Sequence, residues 1–148
     1  MMRAHYGDLL SFEPPPAWIA RRTLLLAPAG SDKGAGQSIT VARAPRATDI
    51  PFRDAVAAHV ATMVARTRGM RVIAQQNAVV SGRHAREVRV TVAGERGAAV
   101  EQLHVYVDAP EGDFVVLVCS WTGAQEDSAT RALRAVLATA RFGPETRR

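Results

Sequence analysis

Residues 97–121 read GAAVEQLHVYVDAPEGDFVVLVCSW, two runs of strand-forming residues around a Pro-Glu-Gly-Asp turn. That is the pattern of a β-hairpin. One face of the first run carries Ala99, Leu103, Val105 and Val107, interrupted by Glu101. The other carries Val100, Gln102, His104 and Tyr106, which is neither a plain core face nor a plain solvent face. The second run is apolar at nearly every position from Phe114 to Cys119. What the mixed face is for is the question the sequence poses.

Working outward, strands are expected at residues 6–12, 19–27, 37–44, 70–80, 83–92, 98–107 and 113–122. All are β-branched or alternating, and turn chemistry such as APAGSDKGAG, VSG and AGERG separates them. Two segments have helical periodicity. In PFRDAVAAHVATMVARTRG, residues 51–69, Phe52, Val56, Val60, Met63 and Val64 share a face, with Pro51 suited to the first turn and Gly69 to the stop. In EDSATRALRAVLATARF, residues 126–142, Ala129, Leu133, Val136, Leu137 and Ala140 share a face before Gly143-Pro144. The expected fold is α+β, a largely antiparallel sheet of about six to seven strands packed with two long helices, as a single domain over residues 1–148.

Simple hairpin pairing sets Val88 opposite Leu103 and Val105 opposite Val116. Val88, Val90, Val92, Leu103, Val105, Val107, Phe114, Val116 and Val118 then share one apolar side, the natural seat for a helix. Glu87, Arg89, Thr91, Val100, Gln102, His104, Tyr106, Val115, Leu117, Cys119 and Trp121 share the other. A slip of one residue in either turn exchanges the faces of a strand. The second side is too apolar to face water throughout. Three arrangements compete: a helix on each face in a three-layer sandwich, a dimer or partner surface, or a small-molecule pocket. Gln102 needs hydrogen bonds wherever it is desolvated, and its amide could serve the backbone of another polypeptide. A glutamine facing solvent satisfies the sequence equally well.

Composition narrows the function. The single cysteine, Cys119, excludes an internal disulfide framework and a cysteine-based zinc cluster. The formal charge of +5 comes from scattered arginines with one lysine, Lys33, and forms no basic stripe with interleaved aromatics. Nucleic acid is therefore not the expected partner, whereas an acidic protein surface would suit the charge. No apolar run is long enough for a signal-peptide core or a membrane span, so a cytoplasmic protein is expected. His5, His59, His84 and His104 show no metal-ligand spacing, and no serine lies in a G-x-S-x-G context. GSDKGAGQS lacks the Gly-Lys-Ser/Thr ending of a phosphate loop. No metal, cofactor or catalytic set is expected, and the protein is not expected to be an enzyme.

The ordered motifs FEPPPAW, ITVARAP, the long helix, VSGRHAREV, VEQLHVYV, FVVLVCSW and ATARF resemble the DcrB-related family, with its Mog/PsbP-like sandwich fold. The likeness covers roughly residues 6–142 and is narrower still to the Eag chaperones of bacterial type VI secretion. That resemblance implies a cytoplasmic homodimer. Its client would be an effector with N-terminal transmembrane helices and a PAAR domain, shielded before secretion and loaded on the secretion spike. It implies a groove in which Gln102, within EQLHVYV, contacts the client helix, with Leu24 and Leu26 of RTLLLAP as looser matches. Val100, His104, Tyr106, Leu117 and Trp121 complete the expected partner-binding set by their place on the mixed face. Cys119 and Trp121 of VCSW depart from the smaller or polar residues more usual in relatives. Two alternatives remain: a non-catalytic protein-binding module of the same fold, and a small-ligand or hydrolytic protein using His104 and Tyr106.

Overall fold

A computed structural model describes residues 3–6, 10–13, 15, 18–21, 25–28, 37–44, 46, 49–93, 99–109 and 113–142. The elements run β1 (Ala4–Tyr6), β2 (Leu10–Phe12), β3 (Trp18–Arg21), β4 (Leu25–Pro28), β5 (Gln37–Ala44), α1 (Phe52–Arg66), β6 (Arg71–Val80), β7 (Arg83–Ala93), β8 (Ala99–Asp108), β9 (Phe114–Thr122), α2 (Glu126–Thr139) and β10 (Arg141–Phe142). One antiparallel sheet has seven strands in the order β3-β4-β5-β9-β8-β7-β6, and a small sheet has the order β1-β2-β10. The fold is thus mixed α/β with a largely antiparallel sheet and two long helices. Two expected strands are corrected. Residues 6–12 belong to a hairpin in which Tyr6 pairs with Leu10, and residues 19–27 to one in which Arg21 pairs with Leu25. Strands of three or four residues are too short for alternation to show where one ends.

The register differs from the expected one in both central hairpins. Ala93 pairs with Ala99 and Asp108 with Phe114, so the connections are residues 94–98 and 109–113. Each has an odd length, and the second is closed by the Ala109 N–H donating to the Asp113 carbonyl at 3.1 Å. Val88 therefore lies opposite His104, and His104 opposite Val118. The middle strand β8 is turned over relative to the simple pairing, because a one-residue shift reverses every side chain. Val88, Val90, Tyr106, Phe114 and Val116 share one face and pack with Val56 and Val60 of α1. Leu103, Val105, Val107, Leu117, Cys119 and Trp121 share the other and pack with Ala129, Leu133 and Val136 of α2. Of the three arrangements the sequence left open, a helix on each face is the one observed.

The two helices are secured differently. Arg134 of α2 pairs with the Glu87 carboxylate, Arg89 pairs with Glu126, and the Cys119 thiol donates to the Ala129 carbonyl at 3.3 Å. Leu10 and Phe12 of the small sheet bury themselves in the same core. Residue by residue, full burial of such side chains is worth about 1.5–3 kcal/mol. On α1, the Pro51 carbonyl accepts the Ala55 N–H at 3.0 Å, and the helix ends at Arg66 before Gly69 at φ +75°. Gly69 lies where an added Cβ would stand 2.6 Å from Cβ of Ala93. In the tight β6–β7 turn, Ser81 and Gly82 both have positive φ, as a two-residue turn of mirror type requires.

Both Gly69 and Gly82 carry positive φ, but only Gly69 also meets a neighbour. Gly69→Ala should therefore cost at least about 1 kcal/mol more than Gly82→Ala, the difference being the overlap with Ala93. Urea denaturation of the two variants measures it, and equal losses would show that the Ala93 strand end yields to the added methyl.

Candidate functional site

Burial along β9 is unequal on its two sides. Toward α2, Val115, Leu117, Cys119 and Trp121 are all buried. Toward α1, Phe114 and Val116 are buried, but Val118, Ser120 and Thr122 are only half-buried. The same fading occurs on β8, where Tyr106 and His104 are buried and Gln102 and Val100 are half-buried, and on β7, where Val90 is buried and Val92 half-buried. On β5, Thr40 and Ala42 of that face are exposed. Helix α1 thus covers one end of the face and leaves an open shelf of Val92, Val100, Gln102, Val118 and Ser120. Cross-strand pairing makes these true neighbours, since Gln102 lies opposite both Val90 and Ser120, and Val100 opposite Val92.

Beneath the edge of α1 a polar chain leads to the shelf. His59 of α1 shares a 3.0 Å hydrogen bond with the Tyr106 hydroxyl, and its ring meets Tyr106 and Phe114 edge-on with centroids 5.3 and 5.4 Å away. His104 stacks beyond Tyr106, and its Nε2–H donates to Oε1 of Gln102 at 2.8 Å. With Nε2 carrying the proton, Nδ1 of His104 is a buried acceptor without a partner among the described residues. Burial, with the neighbouring His59, pulls the His104 pKa down to about 4, and burial also lowers that of His59. Both rings are neutral at pH 7. Burial raises the Tyr106 pKa, so the phenol stays protonated. The chain ends at Gln102, whose oxygen is engaged by His104. Its NH₂ makes no hydrogen bond among the described residues and is left to donate at the shelf.

The structure separates the expected partner-binding set. Gln102 and Val100 lie on the shelf, with His104 and Tyr106 behind it under α1. Leu117 and Trp121 lie on the opposite face under α2, where both are almost wholly buried. The reversed β8 is the reason. Trp121 has its own partners there, donating Nε1–H to Glu101 at 2.9 Å and lying under the Arg89 guanidinium at 5.2 Å. Leu26 is in β4 opposite Ile39, and Leu24 lies outside the described residues. Sequence reasoning missed Val92, Val118 and Ser120, whose grouping with Gln102 becomes visible only once the register is known. It also left His59 as one of four scattered histidines, although its place on the inner side of α1 could be read from the spacing to Val56 and Val60.

Several chemistries find little support. Burial pushes the Cys119 thiol up to about 12, far from a reactive thiolate. Glu87 is the deepest carboxylate on the α2 side, but Arg134 and Gln76 occupy its oxygens, and the Arg134 hydrogen bonds hold its pKa below the ordinary value. Among the described residues, no group of three or more His, Cys, Asp or Glu side chains could hold a metal ion, and no helix is long and apolar enough to cross a membrane.

Comparison with known proteins locates this architecture. The DcrB family model matches residues 11–139. Among solved structures, LpqN of Mycobacterium tuberculosis, described as involved in cell envelope biogenesis, is similar with a TM-score of 0.69 at 12% identity, over 97% of this chain and 90% of that one. The Saccharomyces cerevisiae Ran-binding protein Mog1p gives a TM-score of 0.62 at 14% identity, over 95% of both chains. Cyanobacterial PsbP from Synechocystis gives 0.66 at 12% identity, over 95% of this chain and 91% of that one. At such identities the likeness fixes the fold, which is Mog1/PsbP-like. No curated protein matches the sequence.

The buried histidine makes stability depend on pH with a definite sign. His104 takes up a proton near pH 6.5 when unfolded and near pH 4 when folded. The contribution of this histidine is therefore full above pH 6.5, is lost as the pH drops from 6.5 to 4, and levels below that. The loss is on the order of 3 kcal/mol across that window. His104→Leu should flatten most of this slope in denaturation series between pH 7 and 4, and an unchanged slope would assign the titration to other groups.

Proposed function

We propose, from the premise that the chain belongs to the DcrB family, that this member is a cytoplasmic, non-catalytic chaperone and adaptor that shields an apolar helix of a client protein. The observation that carries the reading is the open shelf, where half-buried Val92, Val100 and Val118 surround a Gln102 amide with its NH₂ unspent. A transmembrane segment in water exposes a long apolar surface, and each apolar Å² it buries on the shelf is worth about 25 cal/mol. Gln102 adds a hydrogen-bond donor that can meet a client carbonyl, and His104 holds the amide in the orientation that presents it.

One shelf can shield only one side of a helix about 10 Å across. Two copies facing each other would enclose it, which is why a homodimer belongs to the proposal. The type VI secretion effector with N-terminal transmembrane helices and a PAAR domain is the proposed client because EQLHVYV, with Gln102 as its second residue, resembles the Eag chaperones. Delivery of that effector to the secretion spike follows from the same resemblance.

Co-expression with an N-terminal transmembrane fragment of a PAAR effector, followed by pull-down and mass determination, tests the reading. A soluble complex with two copies of this chain per fragment is expected. Gln102→Glu keeps the acceptor for His104 and removes both donors, and it should lower fragment capture about tenfold, the worth of one hydrogen bond of about 1.4 kcal/mol. Its melting temperature should stay near that of the unmodified protein. A fragment left insoluble beside a folded monomer would overturn the proposal.

A further inference from the structure

We propose that the trough between α1 and β6 receives an extended acidic segment of a partner protein, added as a strand to the free edge of β6 with its carboxylates on Arg86 and Arg53. The surface is distinct from the shelf and includes no residue of it. Strand β6 ends the seven-stranded sheet and pairs only with β7, so its other backbone edge is open among the described strands. Its exposed large apolar side chains are Ile73, which stands at a bulge between Val72 and Ala74, and Val79, which is 71% exposed. A bulge interrupts pairing and blunts an edge, so the usable stretch is Ala74–Val80.

Two hollows lie between α1 and β6. One, of about 500 Å³, is bordered by Phe52, Arg53, Asn77, Val79, His84 and Arg86. The other, of about 480 Å³, is bordered by Ala57, Ala61, Val64, Ala65, Val72 and Gln75. Gln75 and Asn77 are successive same-side positions on β6, so the hollows follow one another along the strand. The trough is therefore polarised, apolar at the C-terminal end of α1 and basic at its N-terminal end.

Arg86 supplies the specificity. Its Nε donates to Oε1 of Gln75 at 3.1 Å and its Nη1 to Oδ1 of Asn77 at 2.7 Å. Two neutral amide oxygens thus fix the guanidinium without neutralising it, and the remaining N–H groups are left for an anion. Arg134 differs, since Glu87 neutralises it. Among the described residues no carboxylate borders either hollow, whereas Arg53 and His84 border the same hollow as Arg86. A second copy of this chain paired edge to edge would bring two uncompensated basic hollows to one seam, at a cost in repulsion. An acidic strand brings the opposite charge. Strand addition supplies backbone hydrogen bonds, and alternate side chains enter the trough.

The test is fluorescence anisotropy with the full chain and a labelled, N-acetylated hexapeptide alternating valine and glutamate. Saturable binding is expected. It should weaken at least tenfold with Arg86→Gln, or with the glutamates replaced by glutamine, and vanish when alternate peptide nitrogens are methylated. Arg53→Gln provides a second variant should Arg86→Gln melt early. Undiminished binding of the methylated peptide would overturn strand addition, and binding indifferent to both arginine variants would overturn the basic site. Absence of peptide binding, or binding of anionic vesicles in its place, would overturn the proposal. Because the two surfaces share no residue, failure here leaves capture of the transmembrane fragment unaffected.

Discussion

A central strand that is apolar on both sides has to be covered twice, and β9 imposes that requirement on the whole molecule. Phe114 and Val116 need cover on one side, and Val115, Leu117, Cys119 and Trp121 on the other. Leaving either side wet would forfeit about 1.5–3 kcal/mol for each large side chain, against a total stability of about 5–15 kcal/mol. One helix cannot serve both faces, so a sheet built around this strand takes a helix on each. The flanking strands follow the same logic, with β8 and β5 adding Leu103, Val105, Ile39 and Val41 to the α2 face.

The two covers are not equivalent. Helix α2 is pinned by Arg134 on Glu87 and Arg89 on Glu126, and by its share of a core with Leu10 and Phe12. Its cover extends to Trp121, whose indole N–H is satisfied by Glu101. Helix α1 is tied to the sheet by His59 on Tyr106 and by apolar contact through Val56 and Val60. It buries groups that prefer water, including a histidine with an unpartnered nitrogen. Such a group costs stability, most of all when protonation would charge it. That face therefore combines a cover with fewer ion pairs to the sheet among the described residues, a buried histidine and the open shelf.

Much of this was legible in the sequence. The spacing of Val56 and Val60, and of Ala129, Leu133, Val136 and Leu137, marked the inner sides of both helices. The doubly apolar β9 marked the need for two covers. Register was not legible, because alternation reads the same whether a connection has an even or an odd number of residues, yet the two cases put opposite side chains together. Residues 94–98 and 109–113 make both connections odd. That alone moved Gln102, His104 and Tyr106 away from Leu117 and Trp121 and toward Val118 and Ser120. The hairpins near residues 6–12 and 19–27 escaped for a related reason: strands of three or four residues are too short for alternation to show where one ends.

The direction of α1 connects the features that remain. Its first turn lies on β9, where the Phe52 ring meets that of Phe114 at 6.4 Å, and its last turns lie beside Val72 of β6. The helix thus crosses β9, β8 and β7 obliquely. A straight rod laid obliquely on a twisted sheet cannot fill both corners beside it. On one side of its path the uncovered corner is Val118, Ser120, Gln102 and Val100. On the other it is the trough against β6, with Arg86 held between Gln75 and Asn77. The same oblique packing that closes the core over Tyr106 and Val88 therefore creates two separate open surfaces of different chemistry, one apolar with a single amide donor and one basic along a free strand edge. The α2 side differs in that its charged groups are engaged with one another, Arg134 with Glu87 and Arg89 with Glu126.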